Sequence, residues 1–162
     1  MGDTAGGLGP KKPNIGFSPL AQISMFWRGQ GVRFTANFSL KEFECKCGGC
    51  TYTLVDQDHV ERLQRLRNIL SARYNREVSI KITSGFRCFI HNRNVGGKNQ
   101  SQHCYGTATD IVAPNVPILE LHQECVRIFD GVGLYDTFIH VDSRGFEERW
   151  DSRSVKAKKG AL

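Results

Sequence analysis

Hydrophobic and polar positions alternate along this chain in two rhythms. Between residues 55 and 74, Val60, Leu63, Leu66 and Leu70 recur every three or four positions with charges between them, which predicts an amphipathic helix. His59, near its start, reads as a surface residue. In E-V-S-I-K-I-T-S the period drops to two: Val78, Ile80 and Ile82 alternate with polar residues, predicting a half-buried strand that ends at Ser84-Gly85. A loop with Gly96 and Gly97 leads to His103. Residues 107 to 112 and 138 to 143 read as second and third strands. Pro114 and Pro117 open a helix carrying Ile118, Leu121, Cys125, Ile128 and Phe129, and Gly131 and Gly133 break it. Upstream, S-L-K-E from Ser39 to Glu42 is a capping-box signature for a short helix.

That order of elements predicts a small α+β domain with a mainly antiparallel sheet flanked by helices. At 162 residues the chain fits one domain. The compact part is expected over residues 34–150. Residues 1–33 read as a flexible extension: up to Pro19 they are rich in Gly, Pro and Lys, and the apolar group L-A-Q-I-S-M-F-W from Leu20 to Trp27 would dock on the domain or on a partner. Residues 151–162 form a basic tail.

Composition narrows the class. A hydrophobic fraction of 40% and a charged fraction of 23% suit a soluble globular protein. No run approaches the roughly 18 to 20 apolar residues of a membrane span, so no membrane insertion is expected. No signal peptide is apparent at the N-terminus. The net charge of +6 favours anionic partners, but much of the excess sits at the ends, at Lys11, Lys12, Arg153, Lys156, Lys158 and Lys159. These runs read as solvated tails, and nucleic acid is not an expected partner. A monomer is expected unless the extension docks elsewhere.

The chemistry lies in two clusters. His103 and Asp110 stand seven positions apart with small residues between them, and His140 follows on the third strand, in F-I-H-V-D. Two imidazoles and a carboxylate are the ligand set of an open zinc site, with one position left for water. Gly106 would let the chain fold back between His103 and Asp110. Asp142 shares a strand face with His140, where it would act as general base or orient the ligand, and Asp136 is the other nearby carboxylate. Arg87, after the first strand, offers a fork for a substrate carboxylate. His91 and His122 read as structural. The second cluster is C-K-C-G-G-C, where Cys45, Cys47 and Cys50 are spaced too closely to pair easily with one another. A thiolate clip for a second, structural metal would take its fourth ligand from Cys88 or Cys104.

Several of these segments together resemble a known family. S-G-F-R-C, H-N-R-N-V-G-G, S-Q-H-C-Y-G-T-A-T-D-I-V, G-V-G-L-Y-D-T-F-I-H-V-D-S-R-G and R-W occur in the order found in zinc peptidases of the D-alanyl-D-alanine carboxypeptidase type, the peptidase M15 family of phages and bacterial cell-wall enzymes. The resemblance spans about residues 38–150. It implies a hedgehog/DD-peptidase fold and one catalytic Zn2+ on His103, Asp110 and His140. It also implies a peptidoglycan peptide as substrate, Arg87 and Ser101 at the substrate, and attack of an activated water on a peptide carbonyl. Several relatives carry an acidic base three positions before the last ligand. Here that position is Thr137, so the role falls to Asp136 or Asp142. The expected setting is the bacterial cell wall or periplasm, reached through lysis machinery, a virion or another route, as for a phage lysin. The alternative is a non-catalytic, zinc-containing wall-binding module on the same fold.

Overall fold

The computed structural model describes residues 16–159. Of the extension expected to be flexible over residues 1–33, residues 1–15, with Lys11 and Lys12, lie outside the described residues, as do residues 160–162.

The strand β1 (Ile23–Trp27) pairs antiparallel with β2 (Tyr52–Asp56), Ile23 opposite Asp56 and Trp27 opposite Tyr52. The apolar group of the extension is therefore a strand on the domain. Between the two lies α1 (Leu40–Phe43), where the Ser39 amide donates to Glu42 Oε2 at 2.8 Å, as the capping box predicts.

The long helix α2 (Gln57–Arg73) buries Val60, Leu63, Leu66 and Leu70. It begins two residues later than the pattern suggested, because Val55 belongs to β2. His59 is a second correction: it is fully buried, since it sits one turn before Leu63 on the core-facing stripe.

A five-stranded sheet follows, in the order β3 (Lys81–Ser84), β4 (Ala108–Val112), β6 (Ile139–Asp142), β5 (Gly131–Leu134), β7 (Glu148–Asp151). All its pairings are antiparallel except β5 with β7. The first predicted strand is thus shorter than its alternation, although Val78 and Ile80 are buried. Between β3 and β4 the chain forms α3 (Phe89–Asn94) and a 3-10 turn at Gln102–Tyr105, where only a loop was expected. The helix α4 (Ile118–Ile128) starts directly after Pro117. The short α5 (Val155–Lys159) occupies the expected basic tail.

Gly131 and Gly133 do not simply end α4. They are the interior of β5, a strand that alternation cannot reveal because half its side chains are missing. A Cβ at Gly131 would lie 2.2 Å from Asp142 Oδ2, and one at Gly133 would lie 2.2 Å from Trp150 Cε2. The two glycines make room for the side chains of the neighbouring strands.

The sheet has an apolar face and a polar one. Ile111, Val132, Ile139 and Val141 join Leu63, Leu66, Leu121 and Phe129 in the core. The alternate residues of the same strands point the other way. Ser84, Asp110, His140, Gly133 and Trp150 are directly paired from strand to strand, forming one row across all five strands.

Candidate metal centre

The row places Asp110 opposite His140, and the 3-10 turn brings His103 over both. The fold-back between His103 and Asp110 depends on Gly106, which has φ +75°. A Cβ there would also lie 2.4 Å from the Leu54 carbonyl oxygen. His103 Nε2 lies 3.2 Å from Asp110 Oδ1 and 3.2 Å from His140 Nδ1, and His140 Nδ1 lies 3.0 Å from Asp110 Oδ1. For metal–ligand bonds of 2.0–2.1 Å, the corners of a tetrahedron stand about 3.3 Å apart. The triangle has that size, so the three atoms fit one zinc ion.

The atoms behind the triangle fit it equally well. His103 Nδ1 donates to the Gly85 carbonyl at 2.8 Å, which leaves the lone pair on Nε2. His140 Nε2 donates to Asp142 Oδ2 at 3.0 Å, which leaves the lone pair on Nδ1. Asp110 turns its second oxygen to Arg87 Nη2 at 2.5 Å, and Arg87 Nε is held by Ser84 Oγ at 2.8 Å. Carbonyl and carboxylate partners of this kind fix the tautomer and orientation of metal-binding histidines.

All three residues are buried, and the local electrostatics suit a cation. Burial favours the neutral form of Asp110, but its bonds to His103 and His140 outweigh that and hold its carboxyl well below the usual range. Burial pushes His103 down against the pull of Asp110. Burial also opposes charge on His140, yet its bonds to Asp110 and Asp142 raise it to about 9. Without an ion, a proton on His140 thus lies between two carboxylates where a metal would otherwise bring the positive charge.

The centre opens into a cleft of about 500 Å³. Arg87 and Ser101 line it. The two carboxylates named for proton transfer do not. Asp142 is fully buried, and its oxygens are taken by His140 and by Arg144 Nε and Nη2 at 2.8 and 2.6 Å. It orients His140. Asp136 is exposed, accepts from the Ser154 amide at 2.8 Å, and is absent from the cleft walls.

A different acid occupies the cleft. Glu148 lines it, half exposed, and pairs with Arg144. It is, with Asp110, one of two carboxylates on the described walls. Trp150, two residues on, shares the cleft-facing side of β7 and packs against His140 with ring centres 5.2 Å apart. The sequence signal was available: E-R-W after Gly145 has the two-residue spacing of one strand face. Lys98 also lines the cleft, near the Trp150 ring, and makes no ion pair among the described residues.

His59 is near the site but not in it. Its Nε2 meets Thr109 Oγ1 at 3.0 Å, behind the sheet, and burial lowers its pKa to about 3. The second predicted cluster also assembles: the sulphur atoms of Cys45, Cys47, Cys50 and Cys88 all lie within 4.8 Å of one another. Cys104 is buried apart from them.

The family model described as Peptidase M15 matches residues 36–142, more than half of the chain. No curated protein matches it.

Proposed function

The chain belongs to the peptidase M15 family, and from that premise we propose that it is a zinc peptidase of the bacterial cell wall, hydrolysing a peptide bond in the peptidoglycan stem or cross-bridge. The observation that carries the metal assignment is the triangle of His103, Asp110 and His140, with each outward atom held by its own partner. Zinc in that triangle would polarise a carbonyl and bring the pKa of water from 15.7 to about 7.

The chain's own residues supply the rest. Asp142 keeps His140 Nδ1 free of a proton when the ion is present. Arg87, still part-exposed behind Asp110, and Lys98, without an acidic partner among the described residues, offer cations to a free carboxylate of the peptide. Trp150 gives the chain an apolar wall to lie on. We assign to Glu148 the transfer of a proton from the attacking water to the leaving amine: it lines the cleft, paired with Arg144, and among the described acids on the cleft walls it is the one not engaged by the imidazoles. Such a substrate sets the place of action at the bacterial wall, with lysis machinery or a virion as the means of delivery.

Purified sacculi incubated with the protein should yield new free amino groups, and mass spectrometry of the muropeptides should identify the bond. Asp110→Ala should abolish release with the fold intact. Glu148→Gln should lower kcat by about 10²-fold or more with KM little changed, whereas Asp136→Asn should behave as wild type. Zinc-loaded protein that binds sacculi and releases nothing would replace this reading with a wall-binding module. Activity surviving full chelation would remove the metal from it.

A further inference from the structure

Outside the cleft, Cys45, Cys47, Cys50 and Cys88 form a second group of metal-binding atoms among the described residues. We propose that these four thiolates bind a second, structural zinc ion, and that this ion fastens the segment carrying Arg87.

Four sulphurs on a zinc ion at about 2.3 Å stand about 3.8 Å from one another. Here Cys47 Sγ and Cys50 Sγ are 3.3 Å apart, and all four fall within 4.8 Å. None is in a disulfide. A single Cys47–Cys50 disulfide would use two of them and leave two thiols facing it, whereas one ion uses all four.

The backbone is arranged for sulphur that carries charge. Gly49 N–H donates to Cys47 Sγ at 3.3 Å, across a turn in which Gly48 has φ +76°. Cys88 N–H points at Cys45 Sγ at 3.5 Å, and His91 N–H donates to Cys88 Sγ at 3.3 Å. Three of the four sulphurs thus accept from a main-chain amide. Amide donors of this kind orient metal-binding groups and tune their basicity. Four thiolates on a divalent ion also leave a net charge of −2, and two cations meet this loop, Arg28 from the end of β1 and Lys46 from within the loop. Arg28 Nη1 donates to the Cys45 and Cys50 carbonyls at 3.2 and 3.4 Å, and Lys46 Nζ reaches the Thr83 carbonyl.

The position in the fold gives the ion its purpose. Three ligands come from the loop after α1 and the fourth from the end of the segment 85–88. The Phe86 amide donates to the Phe43 carbonyl at 2.9 Å, which is one bond between these two stretches. The same short segment supplies the Gly85 carbonyl that holds His103, and Arg87 that holds Asp110. It is otherwise irregular backbone between β3 and α3. The Arg87 amide also donates to the His103 carbonyl at 3.1 Å, so the segment is already tied to the candidate centre, and an ion on Cys88 would tie its other end to the cysteine loop.

The test counts metal rather than turnover. His103→Ala/Asp110→Ala protein, prepared with reductant and dialysed against zinc-free buffer, should retain one zinc ion per chain, released by a thiol-blocking mercurial. Cys47→Ser/Cys50→Ser in the otherwise unaltered chain should hold one fewer zinc than wild type. Should that variant fail to fold, X-ray absorption on the unaltered protein decides: sulphur neighbours at about 2.3 Å support the site. Zinc surrounded by nitrogen and oxygen alone, no zinc in the double-alanine variant, or a Cys47–Cys50 disulfide in reduced preparations would each overturn it. A catalytic failure leaves this count untouched, so the two readings fail separately.

Discussion

Lowering the pH from 7 to 5 should destabilise this protein through one residue away from the metal triangle. His59 is fully buried between α2 and β4, its Nε2 is engaged by Thr109, and its Nδ1 has no partner. A proton there would create a buried charge with nothing to accept the new N–H. The ring accordingly stays neutral down to a pKa of about 3, while in the unfolded chain it titrates near 6.5. Above pH 6.5 neither state is charged and the residue costs nothing. As pH falls below 6.5 the unfolded state takes up a proton that the folded state refuses, so stability is lost until the folded pKa is reached. Between pH 7 and pH 5 the loss is about 2 kcal/mol, and it does not depend on the folded value so long as that lies below pH 4. His59→Gln keeps an amide beside Thr109 and has no such dependence. In urea unfolding followed by tryptophan fluorescence, with zinc saturating, the wild type should lose about 2 kcal/mol more than the variant over this interval. That corresponds to a midpoint shift of about 1 M for an m-value near 2 kcal/mol/M. His103, His140 and the carboxylates are common to both proteins and cancel. Parallel profiles, or an NMR titration of the His59 ring near pH 6.5, would refute the reasoning.

Two further outcomes concern the metal row. Asp142→Asn exchanges the acceptor on His140 Nε2 for a side chain that can present N–H there, and it should weaken zinc binding by about 10–100-fold in competition with a chelating dye. Unchanged affinity would show that the carboxylate does not set the tautomer. Gly133→Ala puts a methyl group where the Trp150 ring now lies. It should displace the indole, raise KM for the peptide and leave zinc affinity within a few fold, as measured by steady-state kinetics and the same dye.

The parts of the fold legible in the sequence were those whose side chains repeat with a clear period. Leu63, Leu66 and Leu70 announced α2, and Ile139 and Val141 on one side of His140 announced β6. The candidate metal residues are legible because a strand fixes where a side chain points, and because Gly106 marks the turn that returns Asp110 to His103. Other elements left no such trace. β5 is half glycine, so its burial leaves no alternation. β1 lies in a segment whose beginning is rich in Gly and Pro, and its partner is about thirty residues away. His59 looked polar by type but sits in register with the leucines that follow it. Asp136 and Asp142 stand near His140 in sequence, whereas Glu148 reaches the cleft wall through the parallel pairing of β5 with β7. Residue order does not show that pairing.

The location of β7 has a consequence for how such a cleft can diversify. His103, Asp110 and His140 all lie within the segment that matches the family, on or over the interior strands β4 and β6. Glu148 and Trp150 lie beyond that segment, on a strand that among the described residues is hydrogen-bonded to one neighbour. An interior strand is constrained by ladders on both sides, but an edge strand can lengthen, shift or change residues while breaking a single ladder. A change of residue on β7 therefore alters the cleft wall while disturbing a single ladder, and leaves the strands that carry Asp110 and His140 paired as they are.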